Sequence, residues 1–215
     1  MSSGCLIERI MMGSTSDIVC IGIDQSYTET AIAVSRGMKV VHAEAVDFSS
    51  CKKKWEKRAA VSAVLIRLLD EYSPDAVVYE RMRTFSQNNL GISYIRATGS
   101  LNGSIEDTVK SKFPSIPVYT VDTRAWKSAV VGSNKPAQNS YGVNENKFPT
   151  AEWAMQTQKH MKSSFIFEVK SKRKNKGTFM SKSGKKLHID DNVCDAMAIS
   201  QCLVRCDPAV LKPIE

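Results

Sequence analysis

The chain has 215 residues, a length that suits one domain with a full hydrophobic core. No apolar run approaches the roughly 20 residues of a membrane-spanning helix. A net charge of +8 favours an anionic partner, nucleic acid before membrane. The six cysteines, at 5, 20, 51, 194, 202 and 206, form no CxxC pair and have no matching histidine spacing. That argues against structural zinc and for reduced packing thiols in a cytosolic protein.

Residues 1–17 read as a flexible leader, with Met11 and Met12 as alternative starts of translation. The first informative stretch is Ile18-Val19-Cys20-Ile21-Gly22-Ile23-Asp24. A short apolar run rich in β-branched residues predicts a strand buried on both faces, and Asp24 closes it. A carboxylate at the end of a central strand needs a partner. Thr30 to Val34 and Met38 to Phe48 predict the second and third strands, the first two as a hairpin. Lys52-Lys53-Lys54-Trp55-Glu56-Lys57-Arg58 opens a helix to about Tyr72, with Val61, Val64, Leu65, Leu68 and Leu69 on one face. Its lysine run reads as a solvated face, with DNA contact as the alternative.

Ser73-Pro74-Asp75 ends that helix, and Ala76-Val77-Val78-Tyr79-Glu80 predicts a second buried strand closed by an acid. If the two strands are neighbours, Asp24 and Glu80 converge and repel each other unless protonated or bridged by a cation. Magnesium, which takes oxygen ligands, would resolve this. Asn89 to Lys112 predicts a second helix whose small residues, Ala97, Gly99, Ser100 and Gly103 among them, permit close approach of a sheet or a second subunit. Val118 to Val121 is a fifth strand, Arg124-Ala125-Trp126-Lys127 starts a short helix, and Lys147 to Met161 predicts another that begins properly after Pro149. Ser164 to Val169 reads as a strand. Lys170 to Lys186 is rich in lysine and arginine and holds no acid, which predicts a flexible basic hairpin or loop serving as a nucleic-acid arm.

The last element, His188-Ile189-Asp190-Asp191-Asn192-Val193-Cys194-Asp195-Ala196-Met197-Ala198-Ile199, predicts a helix. At 3.6 residues per turn Asp195 shares a face with Asp191 and with Asn192. Asp190 is the better N-cap. Val193, Ala196, Met197 and Ile199 press this helix onto the core.

Asp24 after the first strand, Glu80 after the fourth, and a final helix reading Asp-Asn-x-x-Asp-Ala resemble the RuvC-type Holliday-junction resolvases of the RNase H-like nucleases. Arg124-Ala125-Trp126-Lys127-Ser128-Ala129-Val130-Val131-Gly132 looks like that family's Arg-x-x-Lys-x-x-Val-Val-Gly segment, whose lysine contributes to DNA binding. The resemblance runs from about residue 18 to 204. It implies an α/β, RNase H-like fold: a five-stranded mixed sheet flanked by helices, with a basic insertion at about 168–188 before the last helix. The nuclease domain would span 18–206 and a C-terminal tail 207–215. The implied activity is a structure-selective DNA endonuclease, a crossover-junction type working by two-metal hydrolysis of phosphodiesters, with two magnesium ions about 4 Å apart and manganese able to substitute.

On this resemblance the catalytic set is Asp24, Glu80, Asp191 and Asp195, with Asp24 bridging the metals. Asn192 is the alternative to Asp191 as a metal ligand, because the family places Asp-x-x-Asp on this helix and Asn192 stands three residues before Asp195. DNA contacts would come from Arg81, Arg83, Arg124, Lys127, Lys147, Lys170, Lys172, Arg173 and Lys174. The partners implied are branched DNA, chiefly four-way junctions, and a second copy of the chain, in the cytoplasm of a bacterial cell or phage-infected host. Where some members carry an aromatic residue three positions after the strand-four acid, this chain has Arg83, with Phe85 two further on. The segments at 133–146 and 168–188 lengthen the chain in a way that resembles phage versions. His188 is either an aid to proton transfer or a polar bystander.

Two rivals remain. A catalytically inactive DNA-binding protein of the same fold would have little use for acids on three elements. An actin or sugar-kinase-like nucleotide binder, suggested by Ile21-Gly22-Ile23-Asp24-x-Ser-x-Thr, would need a second domain that 215 residues cannot hold.

Overall fold

The computed structural model describes residues 15–26, 28–81, 92–132, 148–168, 178–180 and 186–214. Its centre is β1, Val19–Asp24. Both faces of this strand are buried because its alternate residues feed different cores. Cys20 belongs to one apolar cluster, while Val19, Ile21 and Ile23 belong to the other. β2 (Thr30–Arg36) pairs antiparallel with β1, and β3 (Lys39–Val46) antiparallel with β2. α1 (Lys54–Tyr72) then carries the chain across to the other side of β1. It buries Val61, Leu65, Leu68 and Leu69 and ends where Ser73 takes a left-handed conformation, its N–H bonded to the Leu69 carbonyl.

β4 (Ala76–Glu80) runs parallel to β1, as a helical crossover requires. α2 (Ile92–Lys112) packs Leu101, Ile105 and Val109 into the same core as α1. The Ser62 hydroxyl lies 3.0 Å from Ser104 Oγ and 2.8 Å from Thr108 Oγ1, so these small polar residues seat one helix on the other. β5 (Val118–Val121) lies parallel to β4. α3 (Thr123–Trp126) is capped by Asp122, continues as a wider turn through Lys127–Val131, and stops at Gly132, whose φ is 83°.

The other face of the sheet carries α4 (Phe148–Thr157), the short α5 (Lys162–Phe165), α6 (Asp191–Ser200) and α7 (Cys202–Arg205). α6 is the pillar of this layer, with every residue from Val193 to Ser200 buried. The thiols of Cys20, Cys194 and Cys202 are buried and outside any disulfide, and burial pushes Cys20 and Cys202 far above the ordinary thiol range. They are unreactive packing groups.

Among the described residues the main sheet has six strands, not the five expected: β3, β2, β1, β4 and β5 in that order, and beyond β5 a last strand. The sixth, β9 (Lys212–Pro213), lies in the expected tail and pairs with β5. Proline is tolerated there because an edge strand need not donate from that nitrogen. Leu211 is buried beside it, and the Ile214 N–H reaches the Val118 carbonyl at 2.9 Å. α4 begins at Phe148 and keeps Pro149 in its first turn, where a missing N–H costs nothing. The strand expected from Ser164 starts at Ile166, since Ser164 and Phe165 still belong to α5. The basic insertion is not all loop. β6 (Ile166–Glu168), β7 (Thr178–Met180) and β8 (Lys186–Ile189) form a second sheet in the order β6-β8-β7.

Candidate active site

The parallel pairing of β1 and β4 runs to Ile23 opposite Tyr79, so Asp24 and Glu80 end neighbouring strands on the next rung. Side chains alternate along a strand, and Cys20, Ala76 and Val78 all join the core under α6. Asp24 and Glu80 therefore rise from the face that α6 covers, and both are half-buried.

Gly22 makes that arrangement possible. A Cβ there would lie 2.1 Å from the Ser200 nitrogen and 2.5 Å from the Ala196 carbonyl oxygen, so the backbone of α6 rests directly on β1. Asp195, the residue before Ala196, is 5% exposed, beside the carboxyl end of β1. The first turn of α6 lies at the same rim. Asp190 caps it, accepting from the Val193 N–H at 3.1 Å, as the sequence predicts.

Glu80 is held from both sides. The Thr123 hydroxyl donates to one carboxylate oxygen at 2.8 Å, and the Trp126 indole N–H to the other at 2.9 Å. The Gln25 amide donates to the Glu80 backbone carbonyl. Thus the short helix Thr123–Trp126 orients the strand-four acid. Neither Thr123 nor Trp126 stands out in the sequence as a site residue, because Trp126 looks there like an ordinary buried apolar residue. Its side chain is indeed fully buried, with its one polar atom spent on Glu80.

A further acid joins the rim. Ala31 pairs with Asp24, and Glu29 stands two residues before it on the same face of the hairpin. Glu29 as a whole is exposed, but partial loss of hydration at its carboxyl raises it to about 7, with the charge and hydrogen bond of Asp190 and the charge of Asp191 adding to it, while a hydrogen bond with Asn192 works the other way. Parity along β2 is the only sequence signal that could have found it. Among the described residues no three His, Cys, Asp or Glu side chains draw together into a ready cage for a metal ion. The donors are nonetheless all carboxylate or amide oxygens, and Glu29 shows the repulsion that a hard cation would relieve. By donor chemistry the site fits magnesium.

No protein-family model and no curated protein sequence matches the chain. Solved structures do. RuvC from Thermus thermophilus in complex with a Holliday junction substrate matches with a TM-score of 0.60 at 18% identity, over 92% of this chain and 99% of that one. The same protein in a second structure gives 0.59 at 18%, over 92% and 100%. The fold is that of the RuvC-type resolvases. The yeast mitochondrial Holliday junction resolvase aligns more loosely, at a TM-score of 0.48 and 13% identity over 95% of this chain and 85% of that one.

Within this RuvC-type fold, Asp24 and Glu80 end β1 and β4, Asp191 and Asn192 lie in the first turn of α6, and Asp195 lies one turn further along that helix. Asp191 and Asn192 are both half-buried in the first turn; Glu29 hydrogen-bonds the side chain of Asn192 and feels the charge of Asp191. Arg81 follows Glu80, is exposed, and donates to Thr120 Oγ1 at 3.3 Å. Arg124 is exposed on α3, and the Lys127 ammonium sits 5.2 Å from the centre of the Trp126 ring. Arg83, Lys147, Lys170, Lys172, Arg173 and Lys174 lie outside the described residues, as does Phe85. His188 is on β8, opposite Phe167 and Thr178 and two residues before the helix cap.

Proposed function

We propose that the protein is a structure-selective DNA endonuclease that resolves four-way junctions or other branched DNA by metal-dependent phosphodiester hydrolysis. What supports this reading is that Asp24 and Glu80 end neighbouring parallel strands of a RuvC-type sheet, with the backbone of the acid-bearing helix α6 packed directly on β1. One RuvC structure that shares this fold holds a Holliday junction substrate, and a net charge of +8 suits the same polyanion.

Magnesium, with manganese as a substitute, would supply an activated water and neutralise charge on the leaving 3′ oxygen. Asp24, Glu80, Asp195 and Asp191 or Asn192 would hold the metal, with Asp24, at the end of the central strand, as the shared ligand. Glu80 keeps acceptor capacity for an ion, because an ionised carboxylate offers about four lone-pair sites and Thr123 and Trp126 engage two. Asp195 works from a site with little water, where charge acts at a lower effective dielectric. Arg81, Arg124 and Lys127, beside Glu80, would take the phosphates flanking the scissile bond.

A junction with two-fold symmetry needs two cuts, and one chain carries one acidic rim, so we propose a homodimer. Light scattering should then give a mass near twice 23.8 kDa. A second reading, a binder of the same fold that does not cut, is favoured by the lack of a ready three-residue cage among the described residues. Cleavage of a labelled four-way junction with magnesium, manganese or chelator separates the two. Asp24→Asn, Glu80→Gln and Asp195→Asn should each abolish cutting and leave junction binding intact. If two of the three cut at near the wild-type rate, the site is misassigned.

A further inference from the structure

The acids at the rim have basic groups on one side, where Arg81, Arg124 and Lys127 follow β4 and β5. Something equivalent lies on the other side. β2 runs back from β1 and β3 runs up again, with Val46 opposite Thr30. The chain therefore leaves β3 at the same rim that carries Asp24, two strand spacings or about 10 Å away. There it passes through Lys52, Lys53, Lys54 and Trp55 into α1, and all four side chains are exposed.

Two details set this segment apart from an ordinary solvated face. Glu56, the one acid in the stretch, turns its carboxylate back onto the helix start, accepting from the backbone N–H groups of Lys52 and Lys53. Among the described residues none of Lys52, Lys53 and Lys54 forms an ion pair. Beside them Trp55 is 56% exposed, whereas Trp126 and Trp153 are buried. A large exposed aromatic ring next to three such cations combines the stacking surface and the positive charge with which proteins hold nucleic acid.

We propose that Lys52, Lys53, Lys54 and Trp55 form a second DNA-contact surface, over which an arm of the branched substrate passes as it leaves the acidic rim. The lysines hold backbone phosphates and the indole packs against the DNA. At one phosphate charge per about 1.7 Å of duplex axis, the 10 Å between the ends of β1 and β3 already spans about six charges, so an arm leaving the rim on that side presents a dense row of phosphates to the lysines. This inference rests on the branched-DNA reading above.

The test uses the intact protein and a four-way junction with catalysis blocked by chelator. Trp55 is the one exposed tryptophan of three, so acrylamide quenching of tryptophan fluorescence reports on it. Junction binding should shield it and reduce quenching. The triple variant Lys52→Gln, Lys53→Gln, Lys54→Gln should lower the slope of log affinity against log salt by about 0.9 for each phosphate no longer neutralised, up to about 2.7. Glutamine leaves the backbone donors to Glu56 in place, and the side chains are exposed, so folding should be unaffected. Failure of the wild type to bind junctions would overturn the functional reading itself. Binding with Trp55 as quenchable as before and the slope unchanged would overturn this surface alone.

Discussion

Replacing Gly22 by alanine inserts one methyl group between β1 and α6. The added carbon would stand 2.1 Å from the Ser200 nitrogen, against a normal approach of about 3.4 Å or more, so the helix must retreat by about 1.3 Å. The obstructing atoms are backbone atoms of Ser200 and Ala196, and no change of rotamer relieves them. Overpacking costs about 1–3 kcal/mol where side chains can adjust, and here we expect about 3 kcal/mol or more. At about 2–4 °C per kcal/mol for a chain of this size, Tm should fall by about 6–12 °C. The same retreat carries Asp195 away from Asp24, and a shift of about 1 Å costs on the order of a hundredfold in rate. Gly103→Ala is the matched control. Nothing lies within 4 Å of its added carbon, so it should stabilise α2 by about 0.5–1 kcal/mol and leave cleavage unchanged. Thermal unfolding by circular dichroism and junction cleavage read both variants. If Gly22→Ala unfolds within about 2 °C of wild type, less than the smallest shift expected for 1 kcal/mol, α6 does not rest on β1 and the site built upon that packing is wrong.

Glu29 makes stability depend on pH. Its carboxyl is raised from an ordinary 4.5 to about 7, so the folded chain keeps a proton that the unfolded chain releases between those values. That contribution is full below pH 4.5 and lost as pH climbs through 7; without divalent ions, Glu29→Gln should flatten the fall in Tm over this window, and an unchanged profile would refute the shift. Asp191 and Asn192 can be told apart by cleavage rates. Asp191→Asn should cost far more than Asn192→Ala, because a carboxylate binds magnesium better than an amide oxygen, and the opposite order would assign the ligand to Asn192.

Much of this architecture was legible in the sequence because its central strands are short apolar runs closed by acids. Asp24 and Glu80 announce both the ends of β1 and β4 and the edge at which they meet. α6 declared itself through an N-cap, a spaced pair of acids and an unbroken apolar flank. What escaped notice depends on distant contacts. Glu29 acquires meaning only when β2 lies against β1 and brings it to Asp190. Trp126 differs from any core tryptophan only in where its N–H points. β9 is two residues long and contains a proline, so it has neither alternation nor β-propensity to betray it.

The junction between the small sheet and α6 bears on how this scaffold could be lengthened or trimmed. Ile189 pairs with Ile166, the next N–H, from Asp190, is fastened to the Phe165 carbonyl at 2.8 Å, and the helix begins at once. Ile189 and Phe165 are both fully buried, so this short tether works as a rivet between the insertion and the acid-bearing helix. The chain between Glu168 and Lys186 falls, in the sequence, between the two strands so riveted. Its length can be altered, by an engineer or by mutation over generations, while the start of α6 stays pinned, whereas a deletion reaching Ile166 or Ile189 would release the helix end that carries Asp191 and Asn192.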